Sequence, residues 1–257
     1  MKTHSLLIIV AILASGCAKQ LIQVFDSAAP KLVKQDSSWV YENDTVKIIY
    51  DFWTEKGKLD FTIYNKLSKP IYVDWKNSSF IYNGTKLDFW VDEQKIAQIG
   101  SSSIYKGIVF QESATRAMKP EKTTFIPPNS SYSPEPKYHL QLGPVIVSHA
   151  QENQKVVKVV DMAEHLNPSK VQTRSITYSQ SFNSSNSPLN FRCYLAFSFS
   201  ETGSDFFFID NAFYISSVIE MEPVVFKGDP IGAKGYDNIY GKSPFERATS
   251  FYLQVKQ

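Results

Sequence analysis

The chain has 257 residues, of which 27 are Lys or Arg and 25 are Asp or Glu, so its charge is nearly balanced. A balanced charge gives no electrostatic field of the kind that attracts nucleic acid, and we expect no nucleic-acid partner. The aromatic content is high, with 18 Phe and 14 Tyr, and aromatic side chains favour β-strands. About 240 residues follow the N-terminal leader described next, enough for one large β domain or two small ones.

Residues 1–16 have the features of a secretory signal peptide. Lys2 provides a positive charge, and an unbroken apolar run, Leu6–Leu13, follows it. This run is too short to span a bilayer as a stable helix. The small residues 14–16 are typical of the end of such a leader. We therefore predict that residues 1–16 are removed from the mature protein.

The end of the leader, Leu13-Ala14-Ser15-Gly16-Cys17, resembles the lipobox of bacterial lipoproteins. The resemblance implies cleavage before Cys17, a diacylglycerol thioether on its sulfur and an acylated amino group. Two or more acyl chains would anchor the protein stably in a lipid bilayer. Residue 18 is Ala rather than the Asp that retains many lipoproteins at the inner membrane. The resemblance thus favours the outer membrane of a bacterial envelope and leaves open which side the protein faces. An ordinary cleaved signal is the alternative.

Residues 18–38 are polar and weakly patterned, and we interpret them as a tether between the lipidated Cys17 and a β domain over 39–257. Strands are predicted from Trp39 onward. If Cys17 carries lipid, Cys193 has no second cysteine to pair with, and the mature chain has no internal disulfide. The fold must then depend on its hydrophobic core.

The sharpest local signal lies in Leu59–Trp90, which predicts a meander of four strands. Within it, Asn83-Gly84 separates two alternating apolar runs. This dipeptide tolerates positive φ at both positions and so closes a two-residue type I′ hairpin. The apolar face of that hairpin requires a second layer over it. The predicted cross-strand pairs are Tyr82 with Thr85, Ile81 with Lys86, and Phe80 with Leu87.

From Glu93 to Pro136 the pattern is weak and is interrupted by Gly, Ser and Pro. We interpret this stretch as a long loop with a short helix over Ser113–Met118 and an edge strand over Thr123–Ile126. Loops of this length inside a domain are often functional. The stretch is either part of one domain or the boundary between two packed β subdomains.

Strand patterns resume near Tyr138 and continue to the C-terminus, with a long loop over Gly228–Pro244. Phe191–Ser200 alternates most clearly, with Cys193 on the apolar side and Tyr194 on the polar side. No amphipathic helix exceeds two turns, and many short strands are typical of an all-β antiparallel sandwich or barrel. The pattern resembles immunoglobulin-like β-sandwiches with long loops, without the cysteine pair of antibody domains. The other predicted strands are 138–142, 145–147, 155–160, 171–178, 206–209, 213–221, 224–226 and 251–255.

Candidate catalytic and metal-binding groups are few. His139, His149 and His165 form neither a His-Glu-x-x-His motif nor a close pair, so we expect solvated side chains rather than a metal site. The Gly228–Pro244 loop has carboxylates that calcium could use, but it lacks EF-hand spacing. There is no nucleophile elbow of a serine hydrolase. The sequence therefore predicts no catalytic residue, no metal and no cofactor.

Aromatic side chains are the best lead for ligand binding, because rings exposed on a sheet can stack on sugar rings. The alternative is that these rings are buried in the core. The candidates are Trp53, Trp75, Trp90, Tyr72 and Tyr240.

Three functions are compatible with these observations. The leading hypothesis is a non-catalytic, membrane-anchored binding module whose partner is an envelope protein or a glycan. The second is a glycan-acting hydrolase with paired carboxylates such as Asp74 and Asp88, which would have to lie about 5 to 10 Å apart in a cleft. The third is a subunit of a surface assembly, in which an exposed strand completes a neighbour's sheet.

Overall fold

The computed structural model describes residues 20–90, 95–105, 108–118, 121–140, 143–161, 171–203, 205–234 and 237–256. Cys17 and His165 lie outside these ranges. Apart from a 3₁₀ turn at Gln151–Asn153 and one short helix, the regular structure of the described residues is β-strand, and the strands pair antiparallel. The prediction of an all-β antiparallel chain is confirmed.

Eighteen strands and one α-helix follow one another along the described residues. The first nine strands are β1 (Gln20–Ala28), β2 (Val33–Gln35), β3 (Ser38–Glu42), β4 (Val46–Asp51), β5 (Asp60–Asn65), β6 (Ile71–Tyr82), β7 (Thr85–Asp88), β8 (Lys95–Tyr105) and β9 (Ile108–Met118). The remaining elements are β10 (Thr123–Ile126), β11 (Ser131–Tyr132), β12 (Gln154–Asp161), β13 (Val171–Ser181), β14 (Asn190–Ser198), β15 (Phe206–Met221), α1 (Pro223–Lys227), β16 (Pro230–Lys234), β17 (Asp237–Tyr240) and β18 (Ser250–Lys256).

The largest sheet is a curled half-barrel with the strand order β10-β6-β14-β15-β1-β18. Strand β7 pairs with β6, and the β12–β13 pair joins the sheet through β13 and β15. A separate five-stranded sheet has the order β11-β5-β4-β3-β2. The β8–β9 and β16–β17 pairs form two small sheets of their own.

The two larger sheets share one hydrophobic core, in which aliphatic side chains surround a group of contacting aromatic rings. Tyr50 of β4 lies 4.9 Å from Phe213 of β15 between ring centroids, and Phe52 lies 5.5 Å from Phe191 of β14. All four rings are buried. The Tyr50 hydroxyl accepts a 2.7 Å hydrogen bond from Asn211 Nδ2, and burial raises the pKa of Tyr50 well above its usual value. Core residues come from both sides of the 93–136 stretch.

Strand β1 corrects our interpretation of residues 18–38 as a tether, which is wrong from Gln20 onward. The strand lies inside the large sheet between β15 and β18. Residues 21–25 are all buried because both faces of β1 are covered, so the apolar residues do not alternate. The polar Gln23 is satisfied there: its Nε2 donates to Glu220 Oε2 at 2.8 Å and to the Val145 carbonyl at 2.7 Å.

The Asn83-Gly84 hairpin is confirmed, with φ values of 45° and 84° and all three predicted pairs in register. The four-strand meander around it is wrong. Strand β5 belongs to the five-stranded sheet, and the region predicted as two strands is the single strand β6. Its pairing with β14 is interrupted by a bulge, where the Asp74 carboxylate accepts hydrogen bonds from the backbone amides of Lys76 and Asn77 at 3.0 and 3.1 Å.

Two predicted local structures are wrong. In the first, pairing with a neighbouring strand outweighs the helical pattern of the sequence, and in the second, a proline begins a helix where the sequence pattern predicts a strand. The predicted helix Ser113–Met118 is part of β9, which pairs along its length with β8. The predicted strand over 224–226 is part of α1, which starts with Pro223 at its first position and ends at Gly228, where φ is 77°. Within the predicted loop Gly228–Pro244, the chain forms β16 and β17.

Of the other strand predictions, some are confirmed and some are wrong. Two predicted strands, 206–209 and 213–221, are parts of the single 16-residue strand β15. The predicted strands near Tyr138 and Val145 are irregular in the described residues, apart from an isolated bridge at His139. The predicted edge strand Thr123–Ile126 is β10, at one end of the large sheet, and the predicted strand 251–255 is part of β18 at the other end.

Asp60 and Asp51 face each other across β4 and β5, which gives a pH-dependent prediction. Burial, and then the Asp51 charge, raise the pKa of Asp60 above its ordinary 3.8. A carboxyl group whose pKa is higher in the folded protein than in the unfolded chain lowers the free energy of unfolding at neutral pH. This effect is lost once the pH falls below the pKa of the group in the unfolded chain. We expect Asp60→Asn to raise the free energy of unfolding at pH 7 by about 0.2–1 kcal/mol.

That gain should shrink to nothing as the pH falls below about 4, because both states then bind the proton. Urea denaturation across this pH range measures it. Asp44→Asn, at an exposed position before β4, is the matched control and should show no such pH-dependent gain. A gain for Asp60→Asn that persists at low pH would contradict the electrostatic explanation.

Candidate functional site

Four strands of the large sheet carry aromatic side chains on the face turned away from the core. The strand register places Phe125 of β10 opposite Tyr72 of β6, and Ser198 of β14 between Tyr72 and Phe206 of β15. Directly opposed residues in antiparallel strands share a face. The neighbouring row, which includes Val73 and the residues at 197 and 207, faces the core instead.

We call the outward-facing rings the aromatic strip, defined as Phe125, Tyr72, Phe206, Phe208 and Tyr194. Three of them are well exposed: Phe125 by 51%, Phe206 by 39% and Phe208 by 52%. Phe208 stacks on both Phe206 and Tyr194, with ring centroids 6.1 and 5.5 Å apart and planes within about 21° of parallel. Single exposed apolar residues need no explanation, but contiguous ones mark interaction surfaces.

Small residues and a glycine position the strip. Ser198 lies between Tyr72 and Phe206 in the register, Ala196 lies opposite Phe208, and both small residues are buried. Ser78 Oγ, in the β6 bulge, accepts a 2.9 Å hydrogen bond from the Ala196 backbone amide, which fixes β6 against β14. Gly203 has a φ of 67°, and a Cβ there would lie 2.7 Å from Cζ of Phe206. The loop before β15 therefore requires glycine in order to hold Phe206.

The strip continues into a shallow basin of about 360 Å³ beside Tyr194. Arg192 in this basin donates from Nε to Asp210 at 2.9 Å and also from Nη2, and this pairing raises the pKa of the guanidinium. The basin thus places hydrogen-bonding groups next to stacked rings, a combination that suits ligands with both apolar faces and polar edges. Its lining residues are Asn77, Ser79, Ile81, Gly84, Lys86, Arg192 and Tyr194.

Tyr72 is in the aromatic strip, but the other four rings suggested by the sequence lie elsewhere. Trp53 is half-buried against Phe226 and Tyr252 in a smaller hydrophobic cluster. Trp75 is buried, and its Nε1 donates to Thr124 Oγ1 at 2.8 Å.

Trp90 packs half-buried at the edge of the main core. Tyr240, in β17, has Lys227 Nζ 5.1 Å from its ring centre. The five candidates are therefore not brought together, and a role for each in stacking on sugars stays a prediction.

The two aspartates of the proposed carboxylate pair have different surroundings. Asp74 is buried, with its carboxylate bound to the backbone of the β6 bulge and to Asn77 Nδ2 at 2.9 Å. Asp88 is exposed, forms a 2.6 Å ion pair with Lys86 and lies opposite Ser79, beyond that bulge. Neither aspartate lines any of the five best-formed concavities of the described residues.

A second concavity, a cleft of about 370 Å³, lies where β1, β13 and the end of β15 meet. His149 stacks on Tyr178 with ring centroids 4.1 Å apart, and its Nε2 lies 2.6 Å from Glu220 Oε1. Ser175 Oγ donates to Glu222 Oε2 at 2.8 Å. The polar groups of this cleft thus bind one another in two pairs.

The described residues hold no cluster of three or more His, Cys, Asp or Glu side chains that could bind a metal ion. His139 is exposed, with Nδ1 3.2 Å from the Gly57 carbonyl. Within the same residues, no helix is both long enough and apolar enough to cross a membrane.

Sequence reasoning missed most of the aromatic strip. Tyr194 was placed on the outward side of its strand, but Phe125, Phe206 and Phe208 were not singled out. Three consecutive phenylalanines at 206–208 hide the alternation that assigns a face. Their grouping with Phe125 depends on the order of four strands that are distant in sequence.

Comparisons with known proteins identify no relative: no family model, no curated protein sequence and no solved structure matches the chain.

The two faces of β15 should respond differently to truncation. Phe208→Ala removes a half-exposed ring, and we expect it to lower the free energy of unfolding by only about 1 kcal/mol. Phe213→Ala, on the core face of the same strand, should cost about 3–5 kcal/mol. Guanidinium unfolding of both variants measures the difference, and equal costs would show that Phe208 is a core residue rather than part of a surface.

Proposed function

We propose that the protein is a lipid-anchored lipoprotein of the bacterial envelope, acts without catalysis, and binds a glycan across the aromatic strip. The observation that carries the binding proposal is the stacked series Phe206, Phe208 and Tyr194 on a solvent-facing sheet. Leaving these rings in water is unfavourable, and covering them with a flat apolar surface recovers that free energy.

A glycan fits this surface for two reasons. Sugar rings have an apolar face that stacks on aromatic rings and hydroxyl edges that need hydrogen-bond partners. The basin beside Tyr194 has such partners in the exposed side chains of Asn77, Lys86 and Arg192. Rings and polar groups lie on one continuous face of the sheet, so a chain of several sugars can contact both.

The anchor is supported by the lipobox-like sequence that ends at Cys17. Acylation there would place the domain at the outer membrane, with the lipid bilayer as a permanent partner. We further propose that the two-layer arrangement is of the immunoglobulin-like sandwich type: two antiparallel sheets enclose one aromatic core, and the described residues hold a single buried free cysteine, Cys193.

A second candidate, a subunit of a surface assembly, is favoured by one observation. Over Phe206–Phe213, β15 pairs with β14 on one side, and no strand of the described residues pairs with the other side. This segment is rich in phenylalanine and has one charge, Asp210, which is already paired with Arg192. An edge with so little charge can accept a strand from a second molecule.

A glycan array followed by titration with the best-retained oligosaccharide tests the binding proposal. We expect Phe208→Ala and Tyr194→Ala each to weaken the affinity by roughly 2- to 10-fold, because each removes one stacking contact. Ile231→Ala, at an exposed apolar position in β16, is the matched control and should bind like the unmodified protein.

Two results would contradict a glycan ligand. One is retention of no glycan, and the other is equal affinity of the ring variants and the control. Light scattering of the same samples addresses the second candidate, because a strand-adding subunit forms oligomers that grow with protein concentration, whereas the glycan-binding module stays monomeric.

The anchor has its own test in the intact mass of the full chain expressed in bacteria. We expect the mature protein to begin at Cys17 and to carry the added mass of its acyl groups, and Cys17→Ser to remain soluble after ultracentrifugation. A free thiol at Cys17 in the unmodified protein would refute the lipidation.

A further inference from the structure

A cavity of about 350 Å³ lies between the two larger sheets and is separate from the aromatic strip. Phe61 of β5 lines it from the five-stranded sheet, and Trp75 of β6 lines it from the large sheet. The volume falls within the range of about 300–1,000 Å³ that is typical of small-molecule sites. Four aromatic rings and two glutamates contribute to the lining, a composition that the basin beside Tyr194 does not share.

The rings of this cavity stand at steep angles to one another. Phe89 contacts Trp75 and Phe61 with ring centroids 5.9 and 6.1 Å apart, and the ring planes are inclined by 71° and 68°. Tyr132 lies 6.3 Å from Trp75, with the planes inclined by 44°. Rings inclined in this way surround the contents of a cavity from several directions. A compact, rounded group can therefore contact more than one ring, whereas a flat sugar ring stacks best on a single ring plane.

The wall formed by the segment after β11 is fixed at both of its ends. At the first end, the hydroxyl groups of Ser133 and Thr62 form a 2.8 Å hydrogen bond. At the other end, Lys137 Nζ donates to the backbone carbonyls of Asp88 at 2.8 Å and Phe89 at 3.3 Å. A wall that is already in place spares a ligand the entropic cost of ordering it.

Two carboxylates of this cavity are available to a ligand. Glu121 and Glu135 are exposed, and neither carboxylate has a hydrogen bond or an ion pair with another described residue. Pro134 and Pro136 flank Glu135 and restrict the backbone that presents it. With two negative carboxylates and one positive ammonium, that of Lys137, the charged groups of the lining sum to −1 at neutral pH.

We infer that this cavity binds an organic cation of the quaternary ammonium class. The methyl groups of the ligand contact Trp75, Phe89 and Tyr132, since a cation is attracted to the electron-rich faces of aromatic rings. The Glu121 and Glu135 carboxylates balance its charge. The site goes beyond the proposed glycan surface and depends neither on that surface nor on the anchor.

The lining favours a quaternary ammonium over a primary one. Leu59 and Phe61, each exposed by only 2%, give the cavity an apolar base. A primary ammonium has three N–H donors that lose their hydrogen bonds to water against such a surface, whereas a quaternary ammonium has none to lose. The net negative lining also favours a free solute over a phosphocholine headgroup, in which a phosphate lies next to the ammonium.

Calorimetric titration of the full chain in a non-ionic detergent tests the inference with three probes of similar size. Choline has the quaternary ammonium, dimethylbutanol has the same shape with carbon in place of the charged nitrogen, and ethanolamine has a charge without the methyl groups. We expect choline to bind roughly 3- to 30-fold more tightly than either of the others.

Two variants separate charge from ring contact. Glu135→Gln keeps the shape of an exposed side chain and removes its charge, and Tyr132→Leu keeps an apolar side chain and removes a ring. Each should weaken choline binding by roughly 2- to 10-fold, and Glu135→Gln should leave dimethylbutanol binding unchanged. Glu152→Gln, which removes an exposed carboxylate in the 3₁₀ turn outside the cavity, is the matched control and should bind choline like the unmodified protein. Because Glu135 is exposed, this variant remains informative if Tyr132→Leu folds poorly.

Three results would overturn the inference: no choline binding at millimolar concentrations, binding of dimethylbutanol or ethanolamine as tight as that of choline, or equal affinity of Glu135→Gln and the control for choline. Titration with glucose adds a fourth, because tighter binding of glucose than of choline would make the cavity a sugar site. Phosphocholine distinguishes the source of the cation. Weaker binding than that of choline supports a free solute, and tighter binding supports the quaternary ammonium with a lipid or glycan headgroup as its source.

Discussion

The contact between the two sheets is the interaction on which the rest of the structure depends. Tyr50 of β4 and Phe52, which follows that strand, meet Phe191 and Phe213 of the large sheet in edge-on ring geometries. The described residues hold no disulfide to support this contact, since the thiol of Cys193 is free and buried. Aromatic rings bury large areas and add specific edge-to-face contacts, so a core of this kind can hold two sheets together without a covalent link.

The outward position of the aromatic strip follows from that contact. Because residues at 191, 193, 195 and 197 are committed to the core, the alternating positions of β14 must face outward. The partner strand β15 obeys the same alternation, which turns Phe206 and Phe208 to the surface and Phe213 to the core. The packing of the core thus determines which side chains of the two strands face outward. The positions of the exposed rings follow from those of the buried ones.

The local parts of this fold were predictable, and the long-range parts were not. Asn83-Gly84 determines its hairpin through the backbone angles of two residues, so the register of β6 and β7 could be derived. By contrast, β1 contains a buried Gln23 whose partner, Glu220, is far away in sequence, and nothing near Gln23 reveals that partner. The bulge in β6 looked like a turn because Asp74 binds nearby backbone amides, as turn residues do. The strip required the order of four strands, which composition and alternation do not provide.

The pairing of β1 with β18 has a consequence for the order of folding. These strands contain almost the first and the last described residues, and every position of β1 from Gln20 to Asp26 has a partner in β18. Contacts between residues so far apart in sequence form late, because the chain entropy lost in closing the loop must be compensated by the contacts already made. A chain synthesised from its N-terminus must therefore leave the β18 edge of this strand, which holds five consecutive buried residues, unpaired until its C-terminus arrives. During synthesis the apolar residues of this strand therefore depend on temporary shielding.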